Sequence, residues 1–243
     1  MNLRGAIQLD RPLTADQMRP GLLVSAVADD ELPNGALRYR TQRVIGYHQD
    51  GRPIYQVKGS SRQTWQETLI AAEVDGTALN TSTTPTSIIP PAARFTLPAN
   101  YMDIGKTLRV TAQGRVSTFT SGTLTLDVRM GPTSNIVVFN GGAVVMVVSV
   151  TNKTFELTAL LTCRAIGAGT AANLMGIGRF VSAAVGTADA ANAKTVMLPD
   201  NTPAVGTGFD STVAMVTDVF ATWSVSSASN SIQVHNYVLE AMN

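Results

Sequence analysis

Along residues 153–166, KTFELTALLTCRAI, apolar and polar positions alternate. Phe155, Leu157, Ala159, Leu161, Cys163 and Ala165 share one parity, while Glu156, Thr158, Thr162 and Arg164 share the other. A period of two over this length predicts a β-strand with one face in an apolar core. Inside the strand, Leu160 alone breaks the polar face. The pattern returns at 107–116, where Leu108, Val110 and Ala112 oppose Thr107, Arg109 and Thr111. It returns again with Leu124, Leu126, Val128 and Met130 against Thr125, Asp127 and Arg129. Further strands are predicted at 93–97, 135–139, 144–150, 174–183, 213–225 and 232–241, separated by Gly, Pro, Asn and Ser turns. About eight strands without a helical period predict an all-β, jelly-roll-like β-sandwich. The stretch 186–213, rich in Gly, Ala, Thr and Pro, reads as a long loop, the kind that usually contacts something.

The N-terminal part reads differently. Residues 1–42 show no sustained period, and Pro12, Pro20 and Pro33 punctuate them. Within 43–59 the Asp50-Gly51 pair is a tight-turn signal, because glycine accepts the positive φ that hairpin turns need. Residues 44–48 and 54–57 are its arms, with Pro53 at an edge because it has no N–H to donate. Residues 60–75 predict a short helix or strand. The polar run TALNTSTTPTS at 77–87 marks a boundary. The chain thus divides into an extended arm (1–75) containing the hairpin, a linker (76–87) and a sandwich body (88–243).

Composition sharpens this picture. Only 14% of residues are charged, against roughly 25% in soluble domains. Residues 1–75 hold nine Lys/Arg and nine Asp/Glu, and the remaining 168 hold nine and eight. Such a charge-poor body suggests a surface substantially covered by other subunits. A net charge of +1 gives no field to recruit nucleic acid or an anionic membrane. The opening MNLRGAIQLDRPL has no apolar signal-peptide core, and no run reaches the ~18 apolar residues of a membrane span.

Candidate chemistry is sparse. The lone cysteine, Cys163, sits on a core parity and reads as a small buried apolar residue. GAGTAA at 167–172 fits the dinucleotide fingerprint, but NLMGIGRF follows instead of a helix, so it reads as a turn. Two histidines, His48 and His235, have no carboxylate cluster of metal-ligand spacing around them. Asp127, Glu156, Asp218 and Glu240 read as strand-face carboxylates. No catalytic, cofactor or metal residue is assigned. The closing segment SIQVHNYVLEAMN is apolar on both parities. Ile232, Val234, Val238 and Met242 fall on one, and Tyr237, Leu239 and Ala241 on the other. One parity is expected in the core. The second, with Leu160, is expected at a subunit contact.

GYHQDGRPIYQVKG at 46–59 resembles a segment near the N-terminus of structural proteins of tailed bacteriophages, particularly those of actinobacteria. FTLP at 95–98, LRVTAQGR at 108–115, TLTLDVR at 123–129 and VHNYVLE at 234–240 are similar to jelly-roll proteins of the same virions. The resemblance implies a homotrimer of β-sandwiches, like the tumour necrosis factor-like fold, bound to the major capsid protein as a decoration or minor capsid protein. It would be made in the host cytoplasm and reside on the capsid surface. Tyr47, Asp50, Gly51, Arg52, Pro53, Ile54 and Tyr55 are then the capsid-anchor candidates. Leu160, Tyr237, Leu239 and Ala241 are the subunit-interface candidates. Alternatives are a tail or fibre protein that binds a host receptor or glycan, and a jelly-roll lectin or carbohydrate-active enzyme. The 6% aromatic content disfavours the last.

Overall fold

The computed structural model describes residues 42–47, 53–57, 66–186 and 192–242. The chain divides into two units, Met1–Thr64 and Trp65–Asn243. In the first, β1 (Gln42–Tyr47) and β2 (Pro53–Val57) pair antiparallel. Gln42 stands opposite Val57 and Tyr47 opposite Pro53, with a bulge between Val44 and Gly46. This is the pairing that the Asp50-Gly51 signal predicts. The turn itself, with Asp50, Gly51 and Arg52, lies outside the described residues.

The second unit is all-β, a sandwich of two antiparallel sheets. Its short strands come first: β3 (Gln66–Ala71), β4 (Leu79–Asn80), β5 (Thr86–Ser87) and β6 (Phe95–Leu97). The long ones follow: β7 (Thr107–Thr118), β8 (Gly122–Met130), β9 (Ile136–Met146) and β10 (Val150–Ala165). The series closes with β11 (Asn173–Ser182), β12 (Lys194–Leu198), β13 (Met215–Trp223) and β14 (Ser231–Met242). The large sheet runs β12-β11-β10-β7-β14-β3, with β4 also on β14. The small sheet runs β5-β13-β8-β9, with β6 also on β13. Its strands therefore fold as four nested pairs: β3 with β14, β5 and β6 with β13, β7 with β10, and β8 with β9.

The alternation of β10 is realised as predicted. Phe155, Leu157, Ala159, Leu161 and Cys163 are buried, and the intervening side chains face away from the core. They meet Leu124, Leu126 and Val128 of β8 and Val219, Ala221 and Trp223 of β13 in one apolar cluster. Burial also raises the Cys163 thiol above its ordinary range. At 167–172 the chain turns and then enters β11, a strand, so the helix a dinucleotide site requires is absent there.

The strand β14 corrects one expectation. Ile232 and Val234 are buried, but so are Tyr237, Leu239 and Ala241, each at 0% exposure. Both sets point into the same core because of a β-bulge: Val234 pairs with Gly114 while Asn236 pairs with Gln113, the next residue along β7. His235 is the inserted residue, and a single insertion reverses the parity of everything after it. Tyr237, Leu239 and Ala241 are therefore core residues of this chain and not surface ones.

Four other expectations also shift. The arm ends at Thr64, since β3 pairs with β14 and belongs to the sandwich. The polar 76–87 stretch contributes β4 and β5, each paired into a sheet, and leads to the buried Ile88 and Ile89. The 135–139 strand and the first part of the 144–150 strand are one strand, β9, which bends at Gly141-Gly142, where Gly142 has φ of 78°, and Val150 already opens β10. The 186–213 loop contains β12, and its Phe209 is fully buried and bridged to Ala172.

Candidate interaction surface

The register of the large sheet arranges its outward side chains in rows. One row is Met242, Thr107, Thr162, Met175 and Val205. The next is Glu240, Arg109, Leu160 and Ile177, and the third is Val238, Thr111, Thr158, Arg179 and Met197. The fourth is Asn236, Gln113, Glu156, Val181 and Thr195. Strand pairing alone brings these positions, far apart in sequence, onto one face.

Every charged side chain in these four rows is paired within them. Arg109 donates to Glu240 from both Nε and Nη2, each at 2.6 Å, and Gln66 donates to the other oxygen of the same carboxylate. Arg109 holds Glu240 below the usual carboxylate range. Glu156 accepts from Gln113 at 3.0 Å, Arg179 at 3.0 Å and Thr158 at 3.2 Å. Those bonds, Gln113 first, hold Glu156 low as well. Thr107 and Thr162 share a hydroxyl hydrogen bond of 3.0 Å. Two arginines and two glutamates leave these four rows without net charge.

At one corner the face is apolar. Leu160 is 42% exposed, Ile177 39%, Met197 62% and Val205 50%. Leu160 and Ile177 are direct cross-strand partners, and half-buried Met175 lies beside Val205. Leu160, anticipated as an interface residue, is thus on the surface. Its three exposed neighbours went unforeseen, because Ile177 lies between two glycines, and Met197 and Val205 lie in the stretch expected to be a long loop.

At the opposite end an open groove of about 710 Å³ runs between β7, β10, β11 and β14, bordered by Gln113, Lys153, Glu156, Val181, His235 and Asn236. Gly114, which also lines it, lets β14 approach β7 closely, since a Cβ there would lie 1.9 Å from the Gln233 carbonyl oxygen. On its wall, His235 Nδ1 lies 2.9 Å from Asp75 Oδ2.

The small sheet carries buried charge. Asp218, 1% exposed, accepts from Ser87 at 2.7 Å and the Val219 N–H at 2.7 Å, and pairs with Arg94 at 2.8 Å. Asp127 pairs with Arg129 at 3.0 Å, while its other oxygen is buried without a partner. The Arg129 guanidinium lies over the Phe220 ring, 4.4 Å from its centroid. Burial pushes both aspartates above the ordinary range despite these partners. Among the described residues no three His, Cys, Asp or Glu side chains come together as metal ligands.

Of the anchor candidates, Tyr47 ends β1 and Pro53, Ile54 and Tyr55 open β2. No protein-family profile, curated protein or solved structure matches this chain.

Proposed function

We propose that this chain is a non-enzymatic structural subunit of a tailed-bacteriophage virion, a capsid decoration or minor capsid protein. In this reading the sandwich associates as a homotrimer and the N-terminal unit engages the major capsid protein. The observation that carries it is the two-part organisation: a charge-poor sandwich preceded by a separate unit that bears a hairpin. The hairpin sequence around Asp50-Gly51-Arg52-Pro53 supports the reading through its resemblance to virion proteins. The nested strand pairs support a jelly-roll winding, since that architecture is built from eight strands in two interlocked keys.

The work such a subunit does is mechanical. It adds buried area across the seams between capsid proteins, and each 1 Å² of apolar surface removed from water contributes roughly 25 cal/mol. A hairpin suits the attachment role, because two strands alone are marginal in water and gain stability by resting on a partner.

The test is removal of residues 1–64, which leaves the sandwich unit whole. Particles reconstituted with the shortened chain are expected to lose its density from the head in cryo-EM maps. Wild-type occupancy by the shortened chain would overturn the anchoring role, and density on the tail would overturn the head assignment.

A further inference from the structure

We infer that the apolar corner of the outward face, formed by Leu160, Ile177, Met197 and Val205 with Met175 between them, docks a second copy of this chain. The inference rests on the homotrimer of the assembly reading above and names its surface, while attachment to the capsid is tested separately.

The corner is large enough to matter. Its four exposed apolar side chains offer on the order of 300 Å², the size of the largest patch on a typical monomer. That is the core of an interface, not the roughly 800 Å² each partner buries in a stable one. The rest is available beside it, because Thr107, Thr111, Thr158 and Thr162 continue the face as an uncharged, hydroxyl-bearing rim.

Electrostatics selects the occupant. The arginines nearest the corner are drawn away from it, Arg109 towards Glu240 and Arg179 towards Glu156. With the charges of the four rows paired among themselves, this part of the face offers an acidic or basic partner little to pair with, and the exposed Arg164 and Arg115 lie beyond it. Two copies of a neutral face meet without like-charge repulsion, and their apolar corners supply what each lacks. The corner also reaches the sheet edge, since β12 pairs with β11 on one side and with no other strand among the described residues. Edge strands are commonly guarded by charged side chains; β12 carries one, Lys194 at its start, and the outward residues beyond it are Thr195 and Met197.

Analytical ultracentrifugation of the full chain tests this, from low to high micromolar concentration. The wild type is expected to self-associate, and raising the salt should change the constant little, because paired charges do not drive the contact. Combining Leu160→Ser with Ile177→Ser should weaken association at least tenfold, with the circular dichroism spectrum unchanged. Thr158→Lys adds a charge to a position already facing out, so it tests the same contact even if the serine variants unfold, and it too should weaken association. Phe119→Ser, at an exposed loop position away from the face, should have no effect. A wild type that stays monomeric throughout, or association that survives Thr158→Lys unchanged, overturns the inference. Copies that associate through this face yet never attach to heads would sink the capsid reading alone. Decoration of heads by single copies would sink this inference and the homotrimer with it, while leaving the attachment to the capsid standing.

Discussion

Deleting His235 should unfold the sandwich, although replacing its side chain should hardly matter. The residue is exposed, and its pairing with Asp75 is solvent-facing on both sides, worth about 0–1 kcal/mol. Its backbone is what β14 needs. Without the extra residue, either the β7 pairing slips by one position or Tyr237, Leu239 and Ala241 turn to solvent. In the second case two large side chains leave a core in which they are fully buried, at about 1.5–3 kcal/mol each. Glu240 would turn inward in exchange, away from Arg109, and an unpaired buried carboxylate costs several kcal/mol more. The sum approaches or exceeds the about 5–15 kcal/mol that holds a domain together. Urea unfolding followed by tryptophan fluorescence measures it, since Trp223 is buried in the same core. The expected result is a His235→Ala midpoint close to wild type and no cooperative transition for the deletion. A deletion variant that unfolds cooperatively near the wild-type midpoint would refute the parity argument.

Five further outcomes follow from the same structure. Tyr237→Phe removes a buried hydroxyl that has no hydrogen-bond partner, so unfolding should show stability unchanged or raised by about 1 kcal/mol. Leu239→Ala, at the same depth, should cost about 2–5 kcal/mol. Asp127 has a folded-state pKa raised mainly by burial, so its ionised form costs stability at neutral pH and the cost fades as pH drops through that value. Asp127→Asn should therefore be at least as stable as wild type at pH 7, with the difference shrinking in acid. Glu240 has the opposite sign: its pKa is lowered by Arg109, and its contribution is lost as pH falls through the folded value. Glu240→Gln should remove that part of the acid sensitivity in pH-dependent melts. Gly114→Ala places a Cβ 1.9 Å from a backbone oxygen of β14, and separating the two strands to fit it should cost about 3 kcal/mol or more.

Much of the sandwich is legible in the sequence because its long strands carry their own period. In β7, β8 and β10 the alternation predicts which apolar side chains are buried, though not the burial of Asp127 on the other face of β8, and Asp50-Gly51 predicts the hairpin pairing. What escapes are features that exist only between strands. The bulge at His235 looks like loss of period, when it is a shift of phase. In β11, Gly176 and Gly178 occupy core parity, which weakens the pattern there; a Cβ at Gly176 would lie 2.3 Å from the Phe139 ring. The reason for that glycine thus sits nearly forty positions earlier. Strands β4 and β5 are two residues each, too short for any period to appear. The apolar corner is similar, with one or two residues from each of several segments. Only Leu160, which interrupts an otherwise clean alternation, signalled it in advance.

The nesting of the strand pairs sets the order in which the molecule can be made. In both sheets a central position belongs to a late strand: β14 lies between β7 and β3, and β13 between β5 and β8. While the earlier strands leave the ribosome, each sheet has a gap where its latest member will go, and the edges flanking that gap are open to other chains. Closure must wait for β14 and then join segments separated by most of the unit, a slow step by its contact order. Synthesis that stalls before β14 leaves β7 as an open edge of the large sheet and β3 without its partner, so the vulnerable form of this protein is the incomplete one.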